Sequence, residues 1–325
     1  MEYPKIEIYR TRTFSEKLSD TFSFMRENWR PMLKYFIYLM LPISIVLALP
    51  FNHFFEGYLK LSTILQNPDV FETSDMIWYG VSGLASALIG LFSVITLEAL
   101  VFAMIRLYNK RPQRLAELSF EELKPELLLC MKRCIISTLT GFGLVMLFLL
   151  LIVLLGGLSF LLGKAVGAVI SVLLVIVLYV AFFACIFPLS LVPPIYLLED
   201  EIDVWNAFRK AFRLGFATWG GVFAVLFVIS LLTGVIQSFT MMPWYLMAMV
   251  KTIFSLTDDL NSPVFQSFVY TFAQYLTCIL MCLGYLLSEV FTFVGATIQY
   301  GHASDKIDGV GVARKIEKFD EFDNF

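Results

Sequence analysis

The sequence predicts an all-α fold, a polytopic membrane helical bundle with about six transmembrane helices arranged as three hairpins. Three observations predict it: the composition, the length of the apolar stretches and the placement of the basic residues. Of 325 residues, 58% are apolar and only 16% charged, too little polar surface to cover a soluble globule of this size. Several apolar stretches exceed the ~20 residues that a helix needs to cross a ~30 Å hydrocarbon core. The abundance of Phe and Tyr suits lipid-facing surfaces and interfacial belts.

The apolar stretches run over Leu33–Pro50, Ile77–Ile105, Ile135–Leu155, Val166–Leu198, Thr218–Met241 and Phe265–Tyr300. The fourth is too long for one straight span, and Pro188, Pro193 and Pro194 are expected to bend or end it. Residues 1–34 then read as a cytoplasmic N-terminal segment with an amphipathic helix. Residues 35–300 form the six-span domain, and residues 301–325 a cytoplasmic tail. The polar start shows no cleavable signal peptide, so the first span is expected to act as its own insertion signal. With both termini and the 106–133 and 199–215 connections on one side, that side holds 21 of the 24 Lys and Arg residues. Only Lys60, Lys164 and Lys251 fall on the other. Basic residues stay in the cytoplasm during insertion, so the sequence predicts both ends inside the cell.

Each hairpin is preceded by a charged, amphipathic segment. The first opens with the capping-box pattern Thr13-Phe-Ser-Glu16. It places Leu18, Phe22, Met25 and Trp29 on one face, with Glu16, Lys17, Asp20, Ser23, Glu27 and Arg30 on the rest. The second starts Ser119-Phe-Glu-Glu122 and continues through Leu123, Leu127 and Met131. The third starts near Asp203 and sets Val204, Phe208, Ala211 and Phe212 opposite Arg209, Lys210 and Arg213. This spacing predicts helices lying flat in the membrane interface, with Phe22, Trp29, Phe212 and Trp219 as interfacial anchors. Copies one and three also share Val70-Phe-Glu-Thr73 and Val264-Phe-Gln-Ser267, and a single acid in the second span, Glu98 and Glu289. A threefold hairpin repeat accounts for this; hairpins made alike by topology alone are the competing account.

Catalytic signatures are missing. There is no His-Glu-x-x-His and no Gly-x-Ser-x-Gly, and His53 and His302 belong to opposite sides of the membrane. Cys130/Cys134 and Cys278/Cys282 have i, i+4 spacing but no nearby His, so they read as small apolar core residues. No metal, cofactor or disulfide is expected. No basic patch exceeds what topology needs, which excludes nucleic acid as a partner. The chemistry left over is Glu98 and Glu289. A charged carboxylate inside the bilayer costs ~2.5–3.5 kcal/mol, so it faces protein, water or a cation. The pair is a candidate intramembrane polar site: a proton, cation or substrate contact on one reading, an interhelical hydrogen bond on the other. In the tail, Phe319, Phe322 and Phe325 alternate with Asp320, Glu321 and Asp323, the pattern of a mobile contact segment.

The opening Phe14-Ser-Glu-Lys-Leu-Ser-Asp-Thr-Phe-Ser-Phe-Met-Arg-Glu-Asn-Trp29 resembles the start of an uncharacterised multi-span integral membrane protein family of Bacteroidota. Asp305-Lys-Ile-Asp-Gly-Val-Gly311 and Arg314-Lys-Ile316 look like that family's tail. The stretch Pro193-Pro-Ile-Tyr-Leu-Leu-Glu-Asp200 through Phe212 is distantly similar to the membrane domain fused to some glycerophosphodiester phosphodiesterases. The resemblance implies a bacterial cytoplasmic (inner) membrane protein. It carries over neither the phosphodiesterase activity nor any site residue.

The sequence therefore favours a non-enzymatic membrane protein that acts through membrane lipid or other membrane proteins, in assembly or envelope maintenance. The alternative is a small permease or ion-coupled transporter using Glu98 and Glu289. A lipid enzyme ranks third, for want of a nucleophile, base and metal constellation.

Overall fold

The computed structural model describes residues 5–66, 73–160, 164–255, 267–313 and 316. The expected tail contact at Phe319, Phe322 and Phe325, and the shared loop motifs at 70–72 and 264–266, lie outside the described residues. The described chain is helical, in the order α1 (Phe14–Gln66), α2 (Thr73–Lys110), α3 (Phe120–Phe160), α4 (Lys164–Leu189), α5 (Val192–Leu198), α6 (Val204–Ala217), α7 (Trp219–Ser255) and α8 (Phe268–Asp308). Among the described residues six helices are long and apolar enough to cross a membrane, as the apolar runs predicted.

Several ends are set by local chemistry that the sequence displays. Thr13 and Glu16 close the capping box: the Thr13 amide donates to Glu16 Oε2 at 2.7 Å, and the Glu16 amide to Thr13 Oγ1 at 3.4 Å. Asp203 caps α6 by accepting from the Asn206 amide at 2.9 Å. The long fourth stretch breaks as the prolines predicted, with α4 ending at Leu189 and α5 starting at Val192. Gly309, at φ +65°, ends α8 with its amide bonded to the Asp305 carbonyl.

The amphipathic segments depart from the flat interfacial helices expected. The first and second are not separate elements, because α1 and α3 run on into their spans without a break. Only the third, α6, stands alone. Leu123, Leu127, Phe208 and Ala211 are buried against protein, so the apolar faces of the second and third copies are already covered. The first copy is mixed: Phe22 and Trp29 are exposed at 40% and 52% and Lys17 and Asn28 are buried, while Phe24 is buried and Glu16 and Arg30 are exposed.

The chain divides into two compact units. The first comprises 1–27, 102–229 and 293–325, and the second 28–101 and 230–292. The core of the first holds Phe102, Met104, Tyr108, Leu115, Leu191, Leu197, Leu214 and Tyr300. It also contains the α3–α4 hairpin. The core of the second gathers Ala48, Trp244, Cys278, Ile279 and Cys282, and Trp244 Nε1 donates to Asn52 Oδ1 at 2.7 Å. Cys278 and Cys282 are thus the packed residues that their spacing suggested.

Candidate functional site

Glu98 and Glu289 both belong to the second unit. Glu98, on α2, is 8% exposed and lies within a run of buried residues from Ile95 to Tyr108. Glu289, on α8, is half-buried, with Tyr285 one turn before it and Thr292 one turn after. Nearby, Gln237 on α7 donates to Ser288 Oγ at 2.7 Å, and Ser288 donates in turn to the Tyr285 carbonyl. Hydroxyls on α2 fold back on their own helix: Ser93 donates to Ile89 and Thr96 to Phe92, each at 2.7 Å. A cavity of about 260 Å³ on this unit is lined by Phe51, Ser93, Gln237, Met281, Cys282 and Tyr285 among others, and neither acid contributes to it.

A second cavity, of about 370 Å³, is more polar: Asn52, His53 and Glu56 of α1 face Thr271, Gln274 and Tyr275 of α8. Glu56 is ion-paired with Lys251 of α7. Sequence reasoning weighed His53 only against the distant His302 and passed over its neighbours, although Asn52, His53 and Glu56 sit at i, i+1 and i+4 at the end of the first span. That polar cluster was the available signal.

The first unit concentrates the charge. Two guanidiniums close the C-terminal end of α5, whose last carbonyls have no partner inside the helix. Arg106 of α2 donates to the Leu197 carbonyl at 2.8 Å, to Glu126 of α3 at 2.7 Å, and to Asp200. Arg133 of α3 donates to the Tyr196 and Glu199 carbonyls, each at 2.7 Å, and lies 5.0 Å over the Tyr196 ring. The Arg106 hydrogen bond holds the Asp200 carboxyl below its ordinary range. Glu199 binds Lys210 at 2.6 Å and accepts from the Tyr300 hydroxyl. Arg213 forms a bidentate pair with Asp308 at 2.7 and 3.0 Å, so the exposed basic face of α6 is tied to α8.

The N-terminal strap, residues 5–13, is bound into the same unit. Lys5 Nζ donates to the Asn109 and Arg111 carbonyls at 3.0 Å, and the Ile6 amide to the Tyr108 hydroxyl at 2.9 Å. The Thr11 amide donates to Asp305 at 2.8 Å, and the Arg12 amide to His302 Nδ1 at 2.9 Å. Arg12, itself buried, donates to Asp20 at 2.6 Å and to the Ile8 carbonyl at 2.8 Å. Of the expected anchors, Phe22 and Trp29 face outward. Phe212 stacks on Phe216 at 5.9 Å. Trp219 is packed, its Nε1 donating to the Ala184 carbonyl at 2.9 Å and its ring lying against Phe187 and Phe223. It joins α7 to α4.

These features define a polytopic α-helical membrane protein whose charged segments fold into an ordered, hydrogen-bonded end. Comparison with known protein families, curated protein sequences and solved structures returns no match.

Proposed function

We propose that this chain is a non-enzymatic protein of the bacterial inner membrane, with both termini in the cytoplasm, acting through lipid and neighbouring membrane proteins in assembly or envelope maintenance. The observation that carries the reading is the α3–α4 hairpin. In the most apolar windows of these two helices no residue is buried, whereas 67% of the α2 window is. A hairpin of this hydropathy left uncovered by its own bundle offers its surface to whatever shares the bilayer. The 21-to-3 distribution of basic residues supports the orientation, and the family resemblance of the two ends supports the compartment.

Photo-cross-linking side chains introduced at Leu147 and Val177, 63% and 64% exposed, test this in intact membranes. The expected products are lipid adducts or a discrete protein adduct at these sites and none at buried Phe102. Absence of both adducts at the hairpin, with cross-links confined to the chain itself, would overturn the proposal. The transport reading keeps one observation in its favour, the burial of Glu98 within an apolar helix.

A further inference from the structure

Lys17 lies on the first turn of α1 and is only 5% exposed. Burying an ammonium ion is expensive unless an opposite charge joins it. Among the described residues no carboxylate stands within ion-pair distance of its Nζ, and the charges acting on it are Lys306 and Arg12, both of its own sign. Two acids of the same network are engaged elsewhere. Asp20 pairs with Arg12, and Asp305 accepts from the Thr11 and Gly311 amides.

Gln299 of α8 is fully buried, and neither its amide oxygen nor its amide nitrogen has a hydrogen-bond partner among the described residues. A buried amide of this kind costs about 1–3 kcal/mol. Both groups border one spot, the space over Gly221 in the first turn of α7. A Cβ built on Gly221 would sit 3.4 Å from Lys17 Nζ, 3.4 Å from Gln299 Nε2 and 3.8 Å from Gln299 Oε1. Gly221 is half-buried and the preceding Gly220 is exposed. The N-terminal end of the 37-residue helix α7 adds a positive dipole there. That end repels Lys17 and attracts an anion. His302 and Lys306 lie on the face of α8 that carries Gln299, and the Arg12 amide donates to His302 Nδ1, leaving the imidazole proton on Nε2.

We propose that Lys17 and Gln299, where they meet at the N-terminal turn of α7, form a binding site for a phosphate oxygen, carried by a phospholipid headgroup or by a free phosphate. An anionic oxygen over Gly221 neutralises Lys17, accepts from the Gln299 amide and meets the positive end of α7. The site stands independently of the hairpin reading.

Thermal unfolding of the full-length protein tests it in two arms. In neutral detergent, inorganic phosphate is titrated against chloride at matched ionic strength. In lipid discs, phosphatidylglycerol is titrated into phosphatidylcholine. A stabilisation in the first arm identifies free phosphate, and one confined to the second identifies the headgroup. Lys17→Gln is expected to weaken the effect about ten- to a hundredfold, the worth of a charge-assisted hydrogen bond, while leaving the unliganded protein no less stable. Gly221→Ala, whose methyl group meets its neighbours at ordinary contact distance, is expected to fold normally and lose the effect by occupying the spot. Equal stabilities in phosphate and chloride and in both disc compositions would overturn the proposal. So would a stabilisation that survives in both variants.

Discussion

Replacing Arg106 with Met isolates the energetics of the charged end. Met preserves the stem that Arg106 packs along its neighbours and removes every donor. Three acceptors lose their partner: Glu126 at 2.7 Å, the Leu197 carbonyl at 2.8 Å, and Asp200. They do not count equally. Asp200 has a 64% exposed side chain, so its pair is worth no more than the ~0–1 kcal/mol of a surface ion pair. The Glu126 side chain is 16% exposed, and its other partner, Lys110, is itself 55% exposed. Removing one member of a buried pair costs ~3–5 kcal/mol, and residual solvation of Glu126 through Lys110 sets the expectation near the lower figure. Unfolding in mixed micelles at pH 7 should therefore show a loss of about 3 kcal/mol for Arg106→Met. The Asp200 share has a defined pH dependence. Its folded pKa is depressed, so its contribution is present above the unfolded value of about 3.9 and disappears as pH falls through the folded value. Titration of Asp200 in the variant should return to the ordinary carboxylate range. A loss below about 1 kcal/mol with Asp200 still depressed would refute the assignment of Arg106 as the residue that closes α5.

Three further outcomes are expected. Gly301→Ala places a methyl group on the Ile8 carbonyl; because backbone must move, it should cost about 1–3 kcal/mol and make the 5–12 strap susceptible to protease. Unchanged proteolysis would show that the strap is not held as described. Glu98→Gln and Glu289→Gln should leave thermal stability in detergent within about 1 kcal/mol, since Gln keeps the shape and hydrogen-bonding capacity; a stable variant that loses a growth or transport phenotype would favour the permease reading over the one proposed. Single cysteines at Ser74 and Asp200 on a cysteine-free background should label oppositely, Ser74 alone from outside the cell, and the reverse pattern would sink the proposed orientation.

Where the physics is local, the sequence was a sufficient guide. A run of apolar residues in lipid has to satisfy its own backbone and therefore becomes a helix, which is why six spans could be read without a partner or a relative. The capping box at Thr13–Glu16, the Asp203 cap and the proline break after Leu189 are equally local, each needing only four to seven residues to state. The polar end is a different case. The Thr11–Asp305 and Arg12–His302 bonds join residues about 290 positions apart in sequence, and no periodicity encodes such pairing. Glu98 and Glu289 were visible as charged exceptions in apolar runs. Nothing in the sequence could show that one would be buried and the other only half so, because that depends on how neighbouring helices pack.

Lys17 shows why the candidate anion site escaped the sequence reading altogether. On the α1 pattern it belongs with Glu16, Asp20 and Glu27 on a polar stripe, and a polar stripe beside an apolar one is ordinarily the solvated side. That inference assumes that water is the medium opposite the apolar face. Here Phe22 and Trp29 of the apolar face are exposed, and from the polar stripe Lys17 turns toward α7 and α8, where Gln299 and Gly221 meet it. A stripe residue that is turned inward must find a partner of its own. Arg12 and Asp20 are matched to each other, and Glu27 to Arg114 at 3.2 Å. Lys17 is left with a cation-rich neighbourhood and an unsatisfied amide. A fold that leaves this charge beside a helix N-terminus has the local composition of a receptor for a negative charge, and an anion is the partner that would neutralise Lys17 and accept from the Gln299 amide nitrogen.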